Sequence, residues 1–115
     1  MGRLTTHILD TAHGRPAAGV DIRLFRVGEQ RELLAAASTN RDGRTEQPLL
    51  EAEAMRTATY ELEFDVGDYF AGQAGAVDAP AFLDTVVIRF SMREEEHYHV
   101  PLLVSPWSYS TYRGS

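Results

Sequence analysis

Histidine is the residue type in this chain best suited to acid–base chemistry, because an imidazole titrates close to neutral pH. Of the four histidines, His97 and His99 stand two apart in the stretch HYHVP, so on a strand both would project from one face. Such a pair suits zinc binding or a shared proton transfer, and the alternative is a solvated strand end. His7, in the run LTTHIL, suits either catalysis or a structural role, and His13 in TAHGRP is expected to be exposed.

Arginine is the residue type best suited to holding an oxygen-rich ligand, because its guanidinium is planar and donates several hydrogen bonds. Arg44 follows the turn NRDG, and Arg41 is close enough in sequence to compete for the same role. Ordinary surface exposure is the alternative for both. Arg113 lies in the predicted last strand, two residues before the C-terminal carboxylate.

Several kinds of catalytic centre are excluded by composition and motif. The chain has no cysteine, which rules out a disulfide, a thiolate nucleophile and a cysteine zinc site. It also lacks a serine-hydrolase elbow, a phosphate-binding glycine loop and an HExxH motif. A net charge of −6 argues against nucleic acid as the main partner, although a small anion held by local arginines is still allowed. Any chemistry must therefore rest on histidine, arginine and hydroxyl groups.

Alternation of apolar and polar residues predicts the strands that must position these side chains. It is clearest in TATYELEFDV, and it recurs in RLTTHIL, VDIRLFRV, AFLDTVVIRFSM, HYHVPLLVS and WSYSTY. ELLAAAST is also predicted as a strand, and SMREEEH as a charged hairpin connection. DVGDYFAGQAGAV lacks alternation and predicts a short helix near Asp65, whose carboxylate would cap it. Short strands at this spacing predict an antiparallel sandwich or barrel.

The length of 115 residues predicts one domain over residues 1–115. No apolar run approaches the roughly 18 residues needed to span a bilayer, and the first residues show no signal-peptide pattern. We therefore expect a cytoplasmic protein with no membrane partner.

Three stretches of the chain resemble the transthyretin-like proteins, and more narrowly their 5-hydroxyisourate hydrolase branch. They are LTTHILDTAHGRPAAGV, TNRDGRT and HYHVPLLVSPWSYSTYRGS, and the similarity runs through essentially the whole chain, in order and with compatible spacing. The terminal YRGS is the most specific part, because the hydrolases end on it and hormone-carrying transthyretins lack it. The resemblance implies an all-β, two-sheet antiparallel sandwich of about eight strands with one short helix. It also implies a homotetramer, a dimer of dimers, with active sites at the mouths of a central channel.

The reaction that the resemblance implies is hydrolytic ring opening of 5-hydroxyisourate, a step of urate degradation, without metal or cofactor. The product is 2-oxo-4-hydroxy-4-carboxy-5-ureidoimidazoline. By motif position, His7 and His99 would position and deprotonate a water, and Arg44 would hold the substrate and stabilise developing charge. The other matched residues, expected to shape the pocket and bind substrate, are Tyr112, Arg113, Gly114 and Ser115, with His97 as a possible addition.

Two other functions compete with hydrolysis. A transthyretin-like carrier would hold a small aromatic ligand in the channel without chemistry, and it would need neither the histidines nor the YRGS ending. A metal-binding structural protein would use His97 and His99, with His7 as a third ligand if the strands bring it near.

Overall fold

The computed structural model describes residues 2–73 and 79–114, and this part of the chain is built mainly from strands. In chain order the strands are β1 (Arg3–Asp10), β2 (Arg15–Pro16), β3 (Asp21–Val27), β4 (Arg31–Ser38), β5 (Leu50–Glu51), β6 (Ala58–Phe64), β7 (Val86–Met92), β8 (His97–Val104) and β9 (Tyr109–Thr111). A 3-10 turn spans Ala52–Ala54, and the helix α1 spans Val66–Ala71.

The strands form two sheets that pack face to face. One sheet has the order β2-β1-β8-β9, with β5 also paired to β1, and the other has the order β4-β3-β6-β7. The predicted two-sheet sandwich with one short helix is confirmed. Strand pairs are antiparallel with one exception among the described strands, since β1 and β8 run parallel.

The core lies between the sheets and follows the alternation of the sequence. On β6, Tyr60, Leu62 and Phe64 are fully buried, as TATYELEFDV predicts. Leu4 and Ile8 of β1 face them from the opposite sheet as part of the same buried cluster. Because successive side chains of a strand point to opposite faces, the residues between Leu4 and Ile8 in the strand are divided between core and outer surface. His7 belongs to the outer set.

Two connections differ from the sequence prediction. The strand expected over AFLDTVVIRFSM begins only at Val86, and Phe82 is 76% exposed, because the segment before Val86 runs as bends outside the sheet. SMREEEH does not close a hairpin, since β7 and β8 belong to different sheets. This segment instead crosses from one sheet to the other, and His97 at its end begins β8 and pairs with Arg3 of β1.

The helix forms where predicted but is not capped as predicted. Asp65 occupies the N-cap position without a side-chain hydrogen bond to the helix. Its carboxylate instead accepts two hydrogen bonds from the guanidinium of Arg23, at 2.6 and 2.9 Å. A paired charge of this kind outcompetes a neutral backbone amide as a partner. The later part of DVGDYFAGQAGAV, residues 74–77, lies outside the described residues.

Candidate active site

His7 and His99 come together because β1 and β8 are adjacent and parallel. The register pairs Thr5 with His99 and His7 with Pro101, so the two histidines lie on neighbouring strands and are offset by two residues along them. Both side chains project from the outer face of the sheet, where both residues are half-buried. Their ring centroids are 6.5 Å apart, with the ring planes inclined at 40°. The sequence predicted the pairing of His97 with His99 on one face, but the closer partner of His99 is His7.

Arg44 reaches the same place through the turn that precedes it. The Gly43 amide donates to the Asn40 carbonyl at 2.9 Å, and Gly43 has φ +75°, a conformation that favours glycine. The Ile8 amide donates to the Gly43 carbonyl at 2.8 Å, and Arg44 forms a β-bridge with His7. The Asp-Gly turn predicted from the sequence therefore docks on β1 and fixes Arg44 beside the histidines.

The absence of a side chain at Gly43 also matters for His7. A Cβ at this position would clash with the Ile8 carbonyl oxygen and lie 3.2 Å from His7 Cδ2. Glycine thus lets the turn approach both the strand backbone and the imidazole.

Burial and nearby positive charge lower the pKa of both imidazoles. Burial, followed by the charge of Arg44, lowers the pKa of His7, against the opposing effect of a hydrogen bond to the Asp42 backbone. The pKa of His99 is lowered by burial, then by Arg44 and then by His7. Both rings are therefore neutral at neutral pH, the form that can accept a proton.

The structure distinguishes Arg44 from Arg41. Both arginines are exposed, but the charge of Arg44 acts on both histidines, whereas Arg41 contributes to the pKa of neither. Within residues 2–73 and 79–114, the Arg44 guanidinium forms no ion pair.

Gly114 connects the C-terminal segment to His99. Its amide donates to the His99 carbonyl at 2.7 Å, which forms an isolated β-bridge beyond β9. A Cβ at Gly114 would lie 3.0 Å from His99 Cδ2, tighter than an ordinary contact. The chain end thus packs directly on the imidazole. Ser115, the other predicted site residue here, lies outside the described residues.

The remaining predicted site residues line an open cleft beside His99. The cleft has a volume of about 850 Å³ and is lined by His97, His99, Tyr112, Arg113 and Gly114. Arg113 lies beyond β9 rather than within a strand, because β9 ends at Thr111. Its guanidinium donates to Glu96 at 2.9 Å and stands 4.3 Å from the centre of the Tyr98 ring. In the single chain, Tyr112 is 61% exposed and Arg113 is engaged by Glu96 rather than by the histidines.

Two contacts were not anticipated from the sequence. The Thr5 hydroxyl lies 2.9 Å from His99 Nδ1, a contact that only the parallel register reveals. His13 is not merely exposed, since its Nδ1 lies 2.7 Å from the buried carboxylate of Asp10. Tyr69 donates to the same carboxylate at 2.7 Å. The spacing of Asp10 and His13 is compatible with a turn contact, but nothing in the sequence indicates Tyr69 as the third member.

Two further observations concern metal ions and membranes. Over the described ranges, no three side chains of histidine, aspartate or glutamate are grouped so that they could hold a metal ion. The helices in this part of the chain are also too short or too polar to cross a membrane.

Comparison with protein families identifies the group to which this arrangement belongs. The model of the HIUase/Transthyretin family matches residues 4–114. The chain belongs to this family. Among curated family members, the 5-hydroxyisourate hydrolase of Pseudomonas aeruginosa is 56% identical over all of this chain and 93% of its own length.

Solved structures of family members share the fold across different activities. Klebsiella pneumoniae 5-hydroxyisourate hydrolase superposes with a TM-score of 0.83 at 38% identity, over the whole of both chains. An (S)-allantoin synthase gives 0.93 at 46% identity, over 99% of this chain but only 44% of that longer chain. Sea bream transthyretin in complex with thyroxine gives 0.87 at 27% identity, over 97% of this chain and 94% of its own. The fold is thus shared with a transthyretin solved in complex with thyroxine, whereas the identity to the two hydrolases and the synthase named here is higher than to that transthyretin.

Proposed function

We propose that this protein hydrolyses 5-hydroxyisourate to 2-oxo-4-hydroxy-4-carboxy-5-ureidoimidazoline. The observation that carries the proposal is the cluster of His7, His99 and Arg44, in which two neutral imidazoles stand beside an arginine that forms no ion pair with the described residues. The 56% identity to a protein named 5-hydroxyisourate hydrolase supports the same activity.

The two imidazoles can activate a water molecule between them. With ring centroids 6.5 Å apart, one water can hydrogen-bond to both rings at about 2.8 Å each. As the water oxygen attacks the ring carbonyl carbon of the substrate, one imidazole accepts its proton. The lowered pKa values favour this role, because they keep the rings unprotonated before attack.

Arg44 can stabilise the negative charge that attack places on the carbonyl oxygen. Fixed donors aimed at developing charge are among the strongest contributions that a site can make. When the tetrahedral intermediate collapses, the carbon–nitrogen bond of the ring breaks. The leaving nitrogen then takes the proton held by the imidazole, and the attacked carbon becomes the carboxyl group of the product. Atoms and charge balance with one water consumed.

The C-terminal residues would bind and orient the substrate. We include Tyr112, Arg113 and Ser115 as substrate-binding residues, and His97 as a possible addition, since the described ones line the cleft beside His99. To bind substrate in its own subunit, Arg113 would have to break its ion pair with Glu96. Alternatively, it would contribute to the site of a neighbouring subunit.

Assembly and location are further parts of the proposal. We expect a homotetramer, a dimer of dimers, in which facing subunits complete each site, and light scattering after size-exclusion chromatography would test its mass. We expect a cytoplasmic location, in keeping with a chain that has no cysteine, and fractionation of the source cells would test it.

The activity can be tested by generating 5-hydroxyisourate from urate with urate oxidase and following its ultraviolet decay. We expect the protein to accelerate this decay, and His7→Ala and His99→Ala to reduce kcat by at least about 100-fold while remaining folded. His13→Ala is the matched control, because His13 pairs with Asp10 away from the cluster.

A carrier function is the competing outcome of the same experiment. The likeness to transthyretin in complex with thyroxine favours it as the second candidate. Decay at the spontaneous rate, together with saturable binding of an aromatic ligand measured by calorimetry, would replace the hydrolase proposal by the carrier.

A further inference from the structure

Thr5 occupies a position that no motif assigned to the site. Its Oγ1 lies 2.9 Å from His99 Nδ1, and the two residues are direct partners in the parallel register. Thr5 shares the outer face of β1 with His7, whereas the neighbouring Thr6 points inward. The contact thus joins the N-terminal strand to the imidazole proposed to act on water.

We propose that Thr5 is the positioning residue of His99: its hydroxyl accepts a hydrogen bond from Nδ1–H and leaves Nε2 bare as the proton-accepting nitrogen. This inference rests on the proposed function. A neutral imidazole carries one proton, so fixing that proton on Nδ1 places the lone pair on Nε2. Among the described residues, Thr5 is the hydrogen-bonding partner of the ring, and it engages Nδ1.

A hydroxyl suits this position better than a carboxylate would. A carboxylate would attract the protonated ring and raise the pKa of His99, which would remove the neutral form at neutral pH. A hydroxyl orients the ring without adding charge, and it still stabilises the cation once Nε2 has taken a proton, because Nδ1–H continues to donate. The charged and titratable groups around His99 are His7 on β1, Arg44 in the turn, and His97, Tyr112 and Arg113 along the cleft.

The adjacent threonine provides a matched control. Thr6 Oγ1 donates to the buried Val100 carbonyl at 2.7 Å, on the core side of the same strand pair. Thr6→Val and Thr5→Val each remove one hydroxyl that links β1 to β8 while keeping the side-chain shape. Thr6→Val removes a hydrogen bond on the core side only. Thr5→Val removes the hydrogen bond to the His99 ring on the outer face.

The test compares Thr5→Val, Thr5→Ser and Thr6→Val in the full-length protein. We expect Thr5→Val to lower kcat about tenfold, the rate equivalent of one hydrogen bond, with KM changed less than about twofold. Thr5→Ser should restore most of kcat, and Thr6→Val should reduce stability without changing kcat. A Thr5→Val protein with kcat within about twofold of the unsubstituted protein would overturn the proposal.

A second measurement keeps this inference separate from the proposed activity. The ¹⁵N shifts of the His99 ring above its pKa should show the Nδ1–H tautomer in the unsubstituted protein and a shift toward Nε2–H in Thr5→Val. Predominance of Nε2–H in the unsubstituted protein would overturn the role of Thr5 even if Thr5→Val failed to fold. If the protein shows no hydrolysis but His99 is in the Nδ1–H tautomer, the proposed hydrolase activity is refuted, whereas the hydrogen bond between Thr5 and His99 is still supported.

Discussion

Gly114 offers the sharpest test of how the chain end shapes the site. A Cβ at this position would lie 3.0 Å from His99 Cδ2 and 3.2 Å from His99 Cβ. Gly114 lies outside the positive-φ region, so alanine suits the backbone there. Gly114→Ala should therefore leave the fold intact and act mainly by pushing the imidazole away from the C-terminal segment.

The size of the effect follows from this distance. An ordinary contact begins near 3.4 Å, so the His99 ring or the C-terminal segment must move by about 0.4 Å. If a 1 Å misplacement of a catalytic group costs about 100-fold in rate, a 0.4 Å movement costs about sixfold. The same substitution reduces the freedom of the unfolded chain, which contributes about 0.4–1 kcal/mol of stability. We therefore expect kcat/KM to fall about sixfold while the free energy of unfolding stays the same or rises slightly.

The assay is the decay of enzymatically generated 5-hydroxyisourate, run beside urea unfolding of the same preparation. Gly28→Ala is the matched control, because a Cβ there meets nothing closer than 3.9 Å and Gly28 lies in the connection between β3 and β4, away from the site. Unchanged kcat/KM in Gly114→Ala would refute the idea that the chain end fixes His99. Loss of activity together with loss of stability would show that unfolding is the cause.

Three other predictions concern the turn at Gly43, the positive charge of Arg44 and the hydrogen bonds of Asp10 at the end of β1. Gly43→Ala should lower the free energy of unfolding by at least about 1 kcal/mol and also reduce kcat, since its Cβ would clash with strand backbone. The low pKa values of the two site histidines place the acid limb of kcat/KM below pH 6.5, and Arg44→Gln should move that limb to higher pH because a lost positive charge raises both values. Tyr69→Phe should lower the free energy of unfolding by about 1.5–3 kcal/mol in urea without changing kcat, because Asp10 is buried and loses one donor to its charge.

Each of these predictions has an outcome that contradicts it. A Gly43→Ala protein as stable as the parent would mean that the turn relaxes away from β1. An unmoved acid limb in Arg44→Gln would show that another group sets the pH dependence. For Tyr69→Phe, a loss of kcat at full stability would show that the group formed by Asp10, His13 and Tyr69 contributes to catalysis. His13→Ala would then be expected to lower kcat as well.

Most of the strands could be predicted from local sequence, which also made His7, Arg44 and His99 candidates for the site without grouping them. Alternation located the buried face of β6, and the Asp-Gly pair located the turn that carries Arg44. The prediction was wrong where competition between partners decides the outcome. Asp65 could be expected to cap a helix, but only the fold shows that Arg23 lies within 2.6 Å of its carboxylate.

Pairings between distant strands could not be predicted from periodicity. Periodicity places His97 and His99 on one face but does not show which strand lies beside them, so by itself it indicates neither the Thr5 contact nor the closeness of His7. The same holds for SMREEEH, whose charged residues suit a hairpin and a crossing between sheets equally well. The resemblance to known hydrolases supplied the grouping of His7, Arg44 and His99, which local patterns alone did not.

The parallel pairing of β1 with β8 has a consequence for how the protein is made. Thr5 and His99 are separated by 94 residues, so β1 leaves the ribosome long before the strand that covers its edge has been translated. Contacts of such long range form late, because closing the chain between them costs entropy that only the finished sandwich repays. No fragment that begins after His7 or stops before His99 can contain both imidazoles. In a cell, the appearance of activity would therefore report that a chain has been translated beyond His99 and folded, and a chain terminated before His99 would be inactive however well its central strands are formed.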